Sequence, residues 1–291
     1  MSSAVETRSV SPAALAELVA GVVVVLMLSR FLDGPAAWAV AGLVLVAVLL
    51  GALQLLADQA APLGAEERQR PASPRRTVAT RGIPIESLLD PAVFALGAVG
   101  LLRLVPIGLL EIPLVGACAW VLARDLRLEA RLAASPTTPS AADRTAVLAV
   151  TMAAGLAAFA GIAALVPGGM PDPTAAVETS TSLVLGLAAV DGLVAFLLAY
   201  RVAALRSANL RDVGWAASAA ALAVAITSAA LRTLEIPGLL GPALLVLVFF
   251  LWEAMHSGAT ARRRDPRRIW EAVLLIVLGL VVVAWSLGLR S

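Results

Sequence analysis

The sequence predicts an all-α fold: a polytopic transmembrane helix bundle of about nine spans, built as four tandem helical hairpins plus one C-terminal helix. Three observations carry this. Of the 291 residues 60% are apolar and only 14% charged, and the mean hydropathy is +0.92. Soluble domains carry charge at about a quarter of their positions, so a soluble protein of this composition would lack the polar surface to stay dissolved. Nine apolar stretches approach the length of about 20 residues that a helix needs to cross a bilayer core about 30 Å thick. The basic residues, finally, fall almost entirely on alternate connections between those stretches.

The spans read, in order, as residues 13–32, 36–57, 87–105, 107–123, 145–166, 178–200, 213–232, 238–256 and 269–289. The first has the apolar run Leu18 to Leu28 behind Arg8, as a signal peptide would. Glu17 interrupts the approach, however, and Pro35-Ala36-Ala37-Trp38 makes a poor small-residue cleavage site, so it reads as a retained helix. The fourth is the weakest, being short and holding Pro113. Cys118, the only cysteine, falls inside that span and excludes an intrachain disulfide. The domain organisation is accordingly a tail at 1–12, a single transmembrane domain over 13–289 and an end at 290–291. The connection 62–84, rich in Pro, Arg, Ala and Glu, is expected to be poorly ordered, as is 135–140.

Orientation follows from the arginines. The chain has no Lys, so all 22 basic residues are Arg, and 18 of them lie on the N-terminal tail or on the connections after the second, fourth, sixth and eighth spans. Only Arg30, Arg103, Arg232 and Arg290 lie on the other side. The positive-inside rule then places the N-terminus in the cytoplasm and the C-terminus outside, in the plasma (inner) membrane. The densest cluster, Arg262, Arg263, Arg264, Arg267 and Arg268, sits immediately cytoplasmic of two spans. There anionic lipid head groups attract Arg at about 1 kcal/mol per residue. The predicted partner is therefore the lipid bilayer and not nucleic acid; any membrane-protein partner is not identified by these residues.

A repeat marks the outer turns. Arg30-Phe31-Leu32-Asp33-Gly34-Pro35 and Arg232-Thr233-Leu234-Glu235-Ile236-Pro237 share the pattern Arg, any, Leu, acid, any, Pro; Arg103-Leu104-Val105-Pro106 is a shorter form, and Leu165-Val166-Pro167 has Ala164 at the Arg position. Pro35, Pro106, Pro167 and Pro237 are separated by 71, 61 and 70 residues, which indicates tandem hairpins of one orientation and not inverted repeats of the transporter type. An Arg three residues from an acid at a helix end complements the dipole and needs no function. Alternatively the turns converge and bind an anion through Arg30, Arg103 and Arg232.

Asp191 is the carboxylate predicted in the middle of a span, roughly 14 Å deep at 1.5 Å per residue. A charge there costs about 2.5–3.5 kcal/mol on insertion scales, and such residues often mark transport paths. The plainer expectation is a neutral Asp bonded to a neighbour, with Thr151 and Ser218 at comparable depth. Glu17, Glu86, Asp90, Asp143, Glu178, Asp212 and Glu271 fall near first turns and read as helix caps. Glu253 and His256 share a face, but one His without a second His or a nearby Cys makes a poor metal site.

Absences narrow the field further. Without Lys there is no Schiff-base or lysine nucleophile, one His cannot supply two axial haem ligands, and the His-Glu-x-x-His motif is missing. No cofactor or metal is called for, and no catalytic residue is identified. Small residues at four-residue spacing, Ala153, Ala157 and Gly161, and again Ala217, Ala221 and Ala225, predict close helix approach, while Trp252, Trp270 and Trp285 read as interfacial anchors. The leading functional expectation is a non-catalytic scaffold or accessory membrane subunit. The alternative is a small-solute or proton-coupled secondary transporter using Asp191, with a membrane-embedded lipid-modifying enzyme third. A water-accessible cavity at Asp191 would favour transport, and clustered carboxylates with a metal near the cytoplasmic face the enzyme.

Overall fold

A computed structural model describes residues 11–32, 34–67, 85–106, 108–134, 139–170, 180–207, 209–234, 236 and 238–259. Over these residues the chain is all-helical, with 86% α-helix and no strand. The helices are α1 (Pro12–Ser29), α2 (Pro35–Glu67), α3 (Leu89–Arg103), α4 (Glu111–Ala134), α5 (Ala141–Leu165), α6 (Thr181–Ala204), α7 (Leu210–Thr233) and α8 (Leu240–Ala259), with a 3-10 turn at Ile85–Leu88 leading into α3. Among the described residues five stretches are long and apolar enough to cross a membrane: Pro35–Ala57, Ile85–Arg103, Ala141–Leu165, Thr181–Ala204 and Leu210–Thr233. The apolar runs of α1 and α8 are shorter, and the ninth expected span lies outside the described residues.

Polar N-caps set several helix starts. Ser140 and Asp143 form a capping box on α5, and Ser11, Ser180 and Asn209 cap α1, α6 and α7 through their side-chain oxygens. Pro113 is accommodated because it falls in the first turn of α4, where its missing N–H leaves no helix bond unmade. Gly34, Gly168 and Gly238 have φ of 56°, 73° and 58°. That left-handed backbone is cheap only for glycine, and it reverses the chain between α1 and α2, α5 and α6, and α7 and α8. Two helices run further than the sequence suggests. The Ala-, Leu- and Glu-containing segment 62–67 continues α2 into the connection expected to be poorly ordered, and α4 continues past 123 to Ala134.

Both faces of the helices are apolar. Along α2, Ala37, Ala41, Val44, Val48 and Ala52 are buried at helical spacing, while Leu43, Val46, Leu50 and Leu53 are exposed on the opposite side. An aqueous helix would carry charge on that second face; these faces are consistent with a membrane-embedded protein.

Packing is closest where side chains are smallest. A Cβ added to Gly100 would fall 1.8 Å from the Gly161 carbonyl oxygen, and one added to Gly161 the same distance from that of Gly97, so α3 and α5 touch backbone to backbone. Gly192 brings α6 against Ala221 and Ala225 of α7 in the same way, its Cβ position 3.0 Å from the Ala225 Cβ. The Ala157/Gly161 and Ala221/Ala225 stripes therefore face neighbouring helices, as their spacing predicts. Larger side chains, Phe159 and Phe249 among them, fill the remaining core.

Candidate functional site: a buried carboxylate cluster

In the second half of α4 the side chains sort by helical period. Arg124, Arg127 and Arg131 are exposed, while Leu122, Asp125, Leu126 and Glu129 are buried. Asp125 and Glu129, four residues apart, thus project together from one face into the space between α3, α5 and α6. Asp90 enters that space from the first turn of α3 and Arg201 from the last turn of α6. The three carboxylate side chains offer oxygens that all lie within 4.8 Å of one another, and Asp90, Asp125 and Glu129 are 0%, 1% and 2% exposed.

Their partners are unequal. Glu129 is held by a fork from Arg201, whose Nε donates to Oε1 at 2.9 Å and whose terminal nitrogen donates to Oε1 at 2.7 Å and Oε2 at 2.5 Å. Asp90 accepts the Thr151 hydroxyl at 2.6 Å on one oxygen. Its other oxygen, and both oxygens of Asp125, are buried without a hydrogen-bond donor. A buried polar group without a partner loses its hydration and gains nothing. Three carboxylates face one guanidinium, so a fully ionised cluster carries two uncompensated negative charges, which a low-dielectric interior does not tolerate. Two protons or one divalent cation would balance it.

This arrangement corrects two expectations. Asp90 occupies a first turn, but its side chain is directed to Thr151 and the two α4 acids and does not cap α3, whose N-cap makes no side-chain bond. Thr151, expected near Asp191, is the partner of Asp90 instead, and Ser218 is exposed.

Asp191 lies ten residues before Arg201 on α6, roughly 15 Å along the axis. It is fully buried and carries an ion pair: one oxygen accepts from Ser228 at 2.5 Å and from Arg232 at 2.8 Å. Arg232 also donates to the Gly169 carbonyl at 2.8 Å and to Ser228 Oγ at 3.2 Å. The recess beside Ser228 and Arg232 has internal room of about 20 Å³, on the order of one water, and Asp191 does not line it.

Arg30 and Arg103 lie elsewhere. Arg30 donates to the Val105 carbonyl and pairs with Glu111 at 3.1 Å, while Arg103 donates to the Leu32 carbonyl at 2.7 Å. Each arginine thus reaches the carbonyl two residues beyond the other, a reciprocal exchange that clasps the α1–α2 turn to the α3–α4 turn. Arg232 belongs to a different group, so the described partners of the three arginines are carboxylates, a hydroxyl and carbonyls of the chain itself. Asp33, Glu235 and Pro237, and Arg262, Arg263, Arg264, Arg267 and Arg268, lie outside the described residues. At the other end of the bundle Glu253 pairs with Arg206, whose guanidinium is pushed below its ordinary value by burial and by nearby Arg144. His256 stacks on Trp252 and donates from Nδ1 to the Trp252 carbonyl at 2.9 Å.

No protein-family model, no curated protein and no solved structure matches this chain.

Proposed function

We propose that the chain is a multi-pass integral membrane protein and that it works as a proton- or cation-coupled secondary transporter, with Asp90, Asp125, Glu129 and Arg201 as its coupling groups. In this reading a single transmembrane domain over 13–289 crosses the plasma membrane about nine times, as four tandem hairpins and a closing helix. The N-terminus is cytoplasmic and the C-terminus external. The observation that carries the transport reading is Asp125, buried with both oxygens unpartnered beside two further buried acids. Ionisable groups inside a membrane bundle are costly, and where they cluster without full compensation they mark ion or proton paths. A scaffold has no need of them, and the scaffold expectation rested on the lack of an evident polar pathway or active site in the sequence. The enzyme reading is set behind transport because the three acids are buried between helices, at 0%, 1% and 2% exposure, out of reach of a lipid head group. The transport reading moves from Asp191, which has its own arginine, to the group at Asp125.

Proteoliposomes loaded with a pH dye and a divalent-metal dye test it, with gradients of H⁺, Na⁺, Mg²⁺ or Mn²⁺ imposed one at a time. The wild type should dissipate at least one gradient, and Asp125→Asn, matched for helicity and melting temperature, should not. Wild-type protein that leaves every gradient intact removes the transport reading and leaves the scaffold and the lipid-modifying enzyme, the latter because the acids cluster at the helix ends read as cytoplasmic.

A further inference from the structure

Resting on the transport reading, we infer that Asp90, Asp125 and Glu129 form a binding site for one hard divalent cation of the Mg²⁺, Mn²⁺ or Ca²⁺ class, and that this cation is the coupling ion. The first ground is donor chemistry. All three side chains offer carboxylate oxygen, Thr151 brings a hydroxyl to the same place, and among the described residues no Cys or His belongs to the group; an all-oxygen set selects hard cations.

The second ground is geometry. Oxygens coordinated at 2.0–2.6 Å stand roughly 3 to 5 Å apart, from adjacent to opposite positions. The three carboxylates already meet that limit, with donor atoms no more than 4.8 Å from one another, so an ion needs only side-chain adjustment and no movement of the helices.

The third ground is independent of the clustering. Asp125 offers an oxygen to the group and receives a donor on neither of its two buried oxygens, and Asp90 leaves one oxygen likewise unpartnered. Thr151 and Arg201 satisfy the remaining oxygens of Asp90 and Glu129 and fix where they point. Arg201 also sets the charge: with one guanidinium against three carboxylates, a divalent ion brings the group to neutrality, whereas a monovalent ion leaves it negative.

The same feature distinguishes this group from the other buried acids. Asp191 and Glu253 are each paired with one arginine and belong to no group of three such side chains among the described residues, so a cation there would find the charge of the acid already balanced.

The test uses the full chain purified in detergent, with Mn²⁺ alone as the probe. Free Mn²⁺ is followed by its electron paramagnetic resonance signal during titration, and the melting temperature is recorded with and without Mn²⁺. The wild type should take up one Mn²⁺ per chain and melt higher in its presence. Asp125→Asn and Asp90→Asn should weaken binding about tenfold or more, while Glu17→Gln, at an exposed acid on α1, should change nothing. Two variants guard against misfolding, since either one that keeps the wild-type melting temperature in the absence of metal gives a valid comparison. No uptake by the wild type, or uptake undiminished in a folded Asp125→Asn, overturns the inference. The two proposals also fail separately. If Mn²⁺ does not bind but Asp125-dependent proton movement is seen in vesicles, the metal site is wrong and the transport reading stands. Mn²⁺ bound at Asp125 with no gradient dissipated leaves a static metal site and removes transport.

Discussion

Asp125 and Asp191 show how differently two buried aspartates are treated by their surroundings. Asp191 has an arginine on one oxygen and a hydroxyl on the same oxygen, so it is part of a pair, whereas Asp125 has neither. An unpaired, neutral Asp would accept replacement by Asn with little loss. With Arg232 present, Asp191→Asn leaves a guanidinium facing an amide in an apolar interior. The expected loss is about 1.5 to 3 kcal/mol, the worth of a hydrogen bond to a charged group, measured as a fall in unfolding free energy in detergent. Combining Asp191→Leu with Arg232→Met should recover part of it, because removing both charges leaves none buried alone. A double variant less stable than Asp191→Asn would show that the pair is not what holds α6 to α7.

The crossing of α3 on α5 is the element on which the carboxylate cluster depends. Asp90 and Thr151 meet because Gly97, Gly100 and Gly161 let the two backbones touch further along the same helices. Gly100→Ala places a methyl where the Gly161 carbonyl oxygen stands 1.8 Å away, so the helices must part. The expected cost is about 1–3 kcal/mol, the usual range for overpacking, together with weaker Mn²⁺ binding as Asp90 is drawn back. Gly116→Ala on α4, where a Cβ meets nothing within 4 Å, should leave melting temperature and binding unchanged. The stripe Ala153, Ala157, Gly161 made this contact half legible in the sequence, since small residues announce a close neighbour. Which helix supplies the neighbour is set by the packing of the whole bundle.

For the whole molecule the arginine count predicts a topology. With 18 Arg on one set of connections and four on the other, reporter fusions at Ser3 and Ser291 should give a cytoplasmic signal at the first and an external one at the second. The same compartment at both ends would mean an even number of spans and would break the pattern of four hairpins and a closing helix. The reciprocal bonds of Arg30 and Arg103 tie the α1–α2 turn to the α3–α4 turn. Arg232 reaches the α5–α6 turn at Gly169 without a return bond from position 164, which is Ala.

Composition and period by themselves determined that this chain is helical and suited to a membrane, since an apolar face on both sides of a helix is stable in lipid and unstable in water. Proline and glycine marked turns between the helices, because each restricts or frees the backbone locally. The carboxylate cluster was not legible in the same way. Arg124, Arg127 and Arg131 gave the second half of α4 the composition of a cytoplasmic connection, and only the i, i+4 spacing of Asp125 and Glu129 on the face of Leu122 and Leu126 hinted at burial. Asp90 had the position of a cap. What brings these acids within 4.8 Å is the close approach of α3 to α5 and the place of Arg201 on α6, seen in the Asp90–Thr151 and Glu129–Arg201 bonds between residues 61 and 72 positions apart. Local pattern encodes which face of a helix is apolar, whereas the partner of a buried charge is chosen by packing across the bundle, and only the tertiary structure decides it.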